Sequence, residues 1–281
     1  KSPNEVAGKV LKKSAKMGHN DWIIGFGWDH NKWRDPHFPK ADILNSLPIS
    51  HPIMLNRIDG HSAWVNQKAM ELAGLDVAPI SPDGGDIIND CILIDNAMNP
   101  VQFVMPKPDE STVEKWINLA LKIIIPRGIT NIHDAWQDPV TVKVLQQMSA
   151  NGKLPIRVYG MLGSSYPKLL KQFFKEGFFN SENYTIRSVK AFIDGALGSR
   201  GAALLEPYCD DLNNCGLILI SDKDFIKLAQ KCKDAGFQLC THAIGDRGNR
   251  MVLDSYSNEV AEIKNHRWRI EHAQMVCDED I

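Results

Sequence analysis

From residue 109 onward the sequence alternates amphipathic helices with short apolar strands at a nearly constant interval, and this most limits what it can fold into. Asp109-Glu110-Ser111 reads as a helix start, and Val113, Trp116, Ile117, Ala120, Leu121 and Ile124 recur on one helical face that Gly128 ends. Strand Ile129 to His133 follows, then helix Val140 to Met148, strand Ile156 to Gly160 and helix Leu169 to Phe174. Strand Ile186 to Ile193 leads into a long Gly-rich connection, Asp194 to Gly216. Helix Asp222 to Lys233, strand Phe237 to His242, helix Gly248 to Tyr256 and strand Trp268 to His272 complete the series. Strand ends near 133, 160, 190, 242 and 272 lie mostly about 30 residues apart, the length of one βα unit. Such an order implies parallel strands with helical crossovers.

Successive βα units without a dinucleotide fingerprint favour an α/β fold of the (β/α)8 TIM-barrel type over a doubly wound sheet. Five strands do not close eight, so the barrel is expected to be incomplete here. Residues 1–108 read as an insertion or capping region, with Trp22, Trp28, Trp33 and Trp64, several prolines and short regular segments, and residues 109–281 as the partial barrel. Ser62 to Leu72 reads as a helix ended by Gly74, with Ser62 available as its cap. The tryptophans suit either a core or an aromatic substrate component.

Lys and Arg number 32 against 34 Asp and Glu, a net charge of -2, which leaves no broad basic surface for nucleic acid. No apolar run approaches the roughly 18–20 residues of a membrane span. The start at Lys1 has neither Met nor a signal-peptide core and reads as internal. Six cysteines without a C-x-x-C pair exclude a zinc ribbon or thioredoxin motif and point to reduced thiols in the cytoplasm. An incomplete barrel leaves strand edges that favour homo-oligomers.

In a parallel barrel, reactive groups sit where strands end. His242 and His272 end consecutive strands, where they are either packed side chains or neutral imidazoles suited to a divalent metal. Lys190 lies in the apolar strand Ser188 to Asp194, so its ammonium is costly unless it is paired, with Asp194 or another interior carboxylate, or chemically modified. Modification would be the addition of carbon dioxide to a lysine of lowered pKa. The glycines of Asp194 to Gly201 permit a tight backbone beside a ligand, and Arg200 either binds an anionic or carbonyl group or caps carbonyls of its own loop. His61, within Arg57 to Trp64, either reaches the site or bonds within a turn, and His133 and Asp134 end an earlier strand.

Together these segments resemble the amidohydrolase superfamily, and within it amidohydrolase family 3, which includes N-substituted formamide deformylases. The resemblance rests on Asp21 to Asp29, Asp59 to Asn66, Gly128 to Asp134, Val189 to Arg200, Thr241 to Asp246 and Arg269 to Gln274. It implies a carboxylated Lys190 with His242 and His272 as metal ligands, zinc as the cofactor, and His61, Asp194 and Arg200 as substrate-binding residues. It also implies a His-x-His pair on the first strand and a general-base Asp on the eighth. The chain has no His-x-His and ends at Ile281, so both are expected outside it, with strands 2 to 6 inside.

The function implied is zinc-dependent hydrolysis of an amide or related C–N bond in a small molecule, with these 281 residues inactive alone. The alternative is a noncatalytic binding or regulatory barrel without a complete metal site.

Overall fold

The computed structural model describes residues 2–19 and 21–281. The chain divides into two compact units. One comprises Lys1–Pro106, Asp194–Ile220 and Ile244–Gly248, and the other Lys107–Ile193, Ser221–Ala243 and Asn249–Ile281.

In the first unit the elements are α1 (Pro3–Ser14), β1 (Ile23–Trp28), α2 (Asp42–Asn45), β2 (Ile53–Arg57), β3 (Ser62–Val65), α3 (Gln67–Leu72), β4 (Gly85–Ile88), β5 (Ile92–Asp95) and α4 (Asn99–Val104). Their strands form one sheet in the order β1-β2-β3-β5-β4, with β1 parallel to β2 and the other pairings antiparallel. The region expected to hold only short segments is thus organised around a five-stranded sheet. The helix expected from Ser62 is a strand as far as Val65, and α3 starts only after Asn66, whose side chain accepts the N–H of Ala69. The whole of Ser62–Val65 is buried, paired between β2 and β5. Trp28, Trp33 and Trp64 pack in one core cluster with Ile53, Leu55 and Ile92. These tryptophans are core side chains, and an aromatic substrate finds no support in them.

The second unit contains α5 (Glu110–Ile124), β6 (Asn131–Gln137), α6 (Pro139–Ala150), β7 (Arg157–Gly163), α7 (Pro167–Glu176), β8 (Phe179–Asn180), β9 (Tyr184–Phe192), α8 (Asp222–Asp234), β10 (Gln238–Ala243), α9 (Asp246–Val260) and β11 (Arg269–His272). Helix starts carry the side-chain acceptors that their exposed N–H groups need: Asp109 accepts from Thr112, Asp138 from Val140 and Thr141, and Ser221 from Asp224. The major strands pair in the order β11-β10-β9-β7-β6, all parallel, and β8 is an antiparallel addition to β9. Every residue of β10 is buried, as a parallel strand covered on both faces requires.

This sheet is strongly curved. In a flat sheet β6 and β11 would lie about 19 Å apart, four strand spacings. Instead Arg269 on β11 donates from Nη2 to Nδ1 of His133 on β6 at 3.1 Å, and the same guanidinium meets Met161 Sδ on β7. An α/β unit with a curled, open parallel sheet fits part of a TIM barrel. His133 and Asp134 do not end their strand, because β6 continues to Gln137 through a bulge at Trp136, where φ is 151°. Among the described residues no helix is long and apolar enough to cross a membrane.

The bulge buries the Gln137 amide, whose Nε2 donates to Asp134 Oδ2 at 2.8 Å and whose Oε1 accepts the Tyr184 hydroxyl at 2.5 Å. A Cβ at residue 160 would overlap this amide. Gly160→Ala is expected to cost about 1–3 kcal/mol, because the displaced amide loses its partners, with no loss of parallel-sheet content. Urea unfolding followed by circular dichroism measures both.

Candidate active site

Lys190, His242 and His272 come from three adjacent parallel strands. Register sets Lys190 beside Cys240, and Ala243 beside His272. Residues directly opposed across a sheet share a face, so Lys190, Cys240 and Arg269 form one layer, and Phe192, His242 and Glu271 the next toward the strand ends. Strict alternation would turn His272 away from Glu271 and to the other face. Its backbone instead takes φ 81°, and Ala273 φ 43°, breaking the pleat. The His272 ring lies 4.7 Å from that of His242, edge to face. Backbone strain of this kind in a non-glycine residue is typical of positions held for function.

His242 is buried beside Phe192, with ring centroids 5.0 Å apart, while His272 is exposed. Lys190 is only 3% exposed; its Nζ donates to the Ala191 carbonyl at 3.3 Å and stands 3.8 Å from the centroid of the Phe192 ring. Burial pushes its amine down to about 8, against the opposing pull of the Glu271 charge. That pull is moderated because Glu271 also binds Arg269, Nε to Oε1 at 2.6 Å.

Two imidazoles side by side are donors for a divalent ion. Among the described residues no three His, Cys, Asp or Glu side chains converge as a metal site.

The other three candidates lie in the first unit. Asp194 is fully buried, and its carboxylate accepts N–H bonds from Ala203 at 3.0 Å, Ile244 at 2.9 Å and Gly245 at 2.8 Å. Its observed partners are thus backbone groups of the segments it ties together. Arg200, in left-handed conformation at φ 57°, forms a two-point pair with Asp210, Nη2–Oδ2 2.8 Å and Nε–Oδ1 3.3 Å. It lines a cavity of about 470 Å³ with Phe38, Asp86, Ser199, Asp211 and Asn214. His61 Nδ1 lies 2.6 Å from Asp95 Oδ1.

A cluster that sequence reasoning missed sits at the end of β2. The buried guanidinium of Arg57 pairs with Asp29 at 2.8 Å and with Asp59, and its Nε donates to His30 at 3.3 Å. Burial, with Arg57 adjacent, pushes the His30 imidazole down to about 4. Asp95 was also missed. The turn pattern Arg57-Ile58-Asp59-Gly60 carried a signal for Arg57, but nothing local marks Asp95.

A sequence model described as "Amidohydrolase family" matches residues 1–281, and the chain belongs to that family. It is 28% identical over 289 residues to the putative amidohydrolase YtcJ of Bacillus subtilis (strain 168), covering 99% of this chain and 54% of YtcJ. Protein LONG AFTER FAR-RED 3 of Arabidopsis thaliana is 31% identical, with 95% of this chain and 48% of that protein covered. The exoenzymes regulatory protein AepA of Pectobacterium carotovorum subsp. carotovorum is 25% identical over 78% of this chain and 50% of its own length. Among solved structures, an uncharacterized metal-dependent hydrolase from Pyrococcus horikoshii OT3 superposes with a TM-score of 0.68 at 25% identity, covering 97% of this chain and 54% of that one. Another from Pyrococcus furiosus gives 0.64 at 26% identity, with 99% and 56% covered. The chain therefore spans about half the length of the relatives it matches.

Asp194→Asn would set an amide NH2 against backbone donors. The expected loss is about 2–4 kcal/mol of unfolding free energy, measurable by denaturant titration.

Proposed function

We propose that this chain carries part of the active site of a metal-dependent hydrolase that cleaves an amide or related C–N bond in a small molecule. The single observation that carries the reading is the meeting of His242 and His272, rings 4.7 Å apart, at the end of adjacent parallel strands with Lys190 on the next strand. The Pyrococcus neighbours described as metal-dependent hydrolases support it.

The donor set fits a divalent ion, and zinc suits imidazole nitrogen with an anionic oxygen ligand. His242 and His272 would hold it, together with Lys190 once that side chain is carboxylated. In that step the lone pair of neutral Nζ forms a bond to the carbon of CO2 and the nitrogen gives up a proton, leaving an N-carboxylate. When bound, the ion supplies a water of lowered pKa and polarises a carbonyl.

The protein's own contributions are separable from this. Burial keeps a neutral Lys190 amine accessible near neutral pH, and Phe192 packs against both Lys190 and His242. His61 and Arg200 are proposed to hold the substrate. Asp194 contributes by fixing the segments that follow it. Such a site would still need further ligands and a general base.

A second reading, a noncatalytic regulatory barrel, is favoured by one observation: AepA, a relative, is described as a regulatory protein. One experiment separates the two. In the full-length protein, Lys190→Ala is expected to lower bound metal by more than about tenfold and to remove hydrolysis of a panel of N-acyl and N-formyl amines. Elemental analysis with a product assay reads both. Full retention of metal and turnover in the variant would refute the ligand role, and a metal-free wild-type protein inert on the panel would favour the regulatory reading.

A further inference from the structure

Asp95 ends β5 with a positive φ of 48° and ψ of -117°, and is 6% exposed. A non-glycine residue in that conformation is costly unless its surroundings demand it. Here they do on two sides. Its Oδ1 meets His61 Nδ1 at 2.6 Å, and its Oδ2 lies where a Cβ of residue 195 or of residue 201 would stand. The third glycine of the same run, Gly198, makes way for another buried charge: a Cβ there would be 2.7 Å from Arg57 Nη1. The spacing Gly195-x-x-Gly198-x-x-Gly201 therefore seats one loop on two buried charged groups of the sheet. That loop carries Arg200.

The geometry points to Asp95 as a positioning residue that fixes the tautomer and orientation of His61 and gauges the seat of the glycine loop beside it. An ionised Asp95 carboxylate only accepts hydrogen bonds, and with it Nδ1 of His61 would carry the proton. In the neutral ring the basic lone pair is then on Nε2, the nitrogen that would accept a proton or hydrogen bond from a ligand. Asp95 itself touches no reacting group in this scheme. Its catalytic consequence rests on the reading of His61 as a substrate-holding residue; the tautomer does not.

The test uses the protein labelled with 15N-histidine, with long-range 1H–15N correlation spectra recorded at a pH where the ring is neutral, the His61 signals being identified by their loss in His61→Gln. Wild type is expected to show pyrrole-type Nδ1 and pyridine-type Nε2. Asp95→Leu, which removes the acceptor and keeps a similar side-chain shape, is expected to move His61 toward the Nε2–H tautomer. Gly201→Ala, which displaces Oδ2, should move it in the same direction. A wild-type Nε2–H tautomer would overturn the assignment without any variant. So would an Asp95→Leu spectrum with the His61 tautomer unchanged. Failure of metal binding or hydrolysis leaves these spectra as they are, so the two readings fail separately.

Discussion

Parallel register between β9, β10 and β11 is the constraint on which the proposed site depends. A strand's side chains alternate with period two, so a slip of one residue in any pairing would move Lys190 or His242 to the opposite face. The pairings Lys190 with Cys240 and His242 with both Phe192 and Glu271 keep these groups in successive layers of one face. His272 departs from the alternation, and its positive φ brings the ring to His242. Register supplies the approximate placement and a locally strained residue supplies the last step.

Much of the second unit was legible because its signals are local. Asp109 caps the helix its position announced, and β9, β10 and β11 end within a residue or so of the expected places. Where the reading failed, short range was the cause. Ser62-Ala63-Trp64-Val65 runs directly into α3, and without knowledge of its partners β2 and β5 the whole stretch shows helical spacing. At β6 the bulge at Trp136 carries the strand beyond His133, held by a Tyr184–Gln137 bond that spans 47 positions. The first unit gathers three separate stretches of chain, and no window of sequence contains that fact.

The same argument explains why Asp95 escaped notice while His61 did not. A histidine in a turn is conspicuous by residue type. An aspartate at the end of a four-residue strand becomes informative only when Gly195 and Gly201, far along the chain, prove to lack side chains because its carboxylate fills their space. Arg57 repeats the pattern with Gly198. Burying Arg57, Asp29 and Asp59 together costs desolvation that pairing only partly offsets. What the arrangement gives in return is specificity of position, since removing any one partner would strand the others.

Arg269 joins the architecture of the second unit to the chemistry proposed for it. Its Nη2 reaches His133 on the far edge of the sheet, and its Nε holds Glu271, the anion nearest in effect to Lys190. An isolated Glu271 would favour the charged ammonium of Lys190, which cannot add carbon dioxide. With Arg269 bound to Glu271 that pull is opposed though not removed, and burial, the larger effect, favours the neutral amine. Arg269 can make both contacts only because the sheet is curved. Curvature therefore bears on the state of the lysine: a flatter sheet would part Arg269 from His133, free its orientation, and loosen its hold on the carboxylate that competes with burial for control of Lys190.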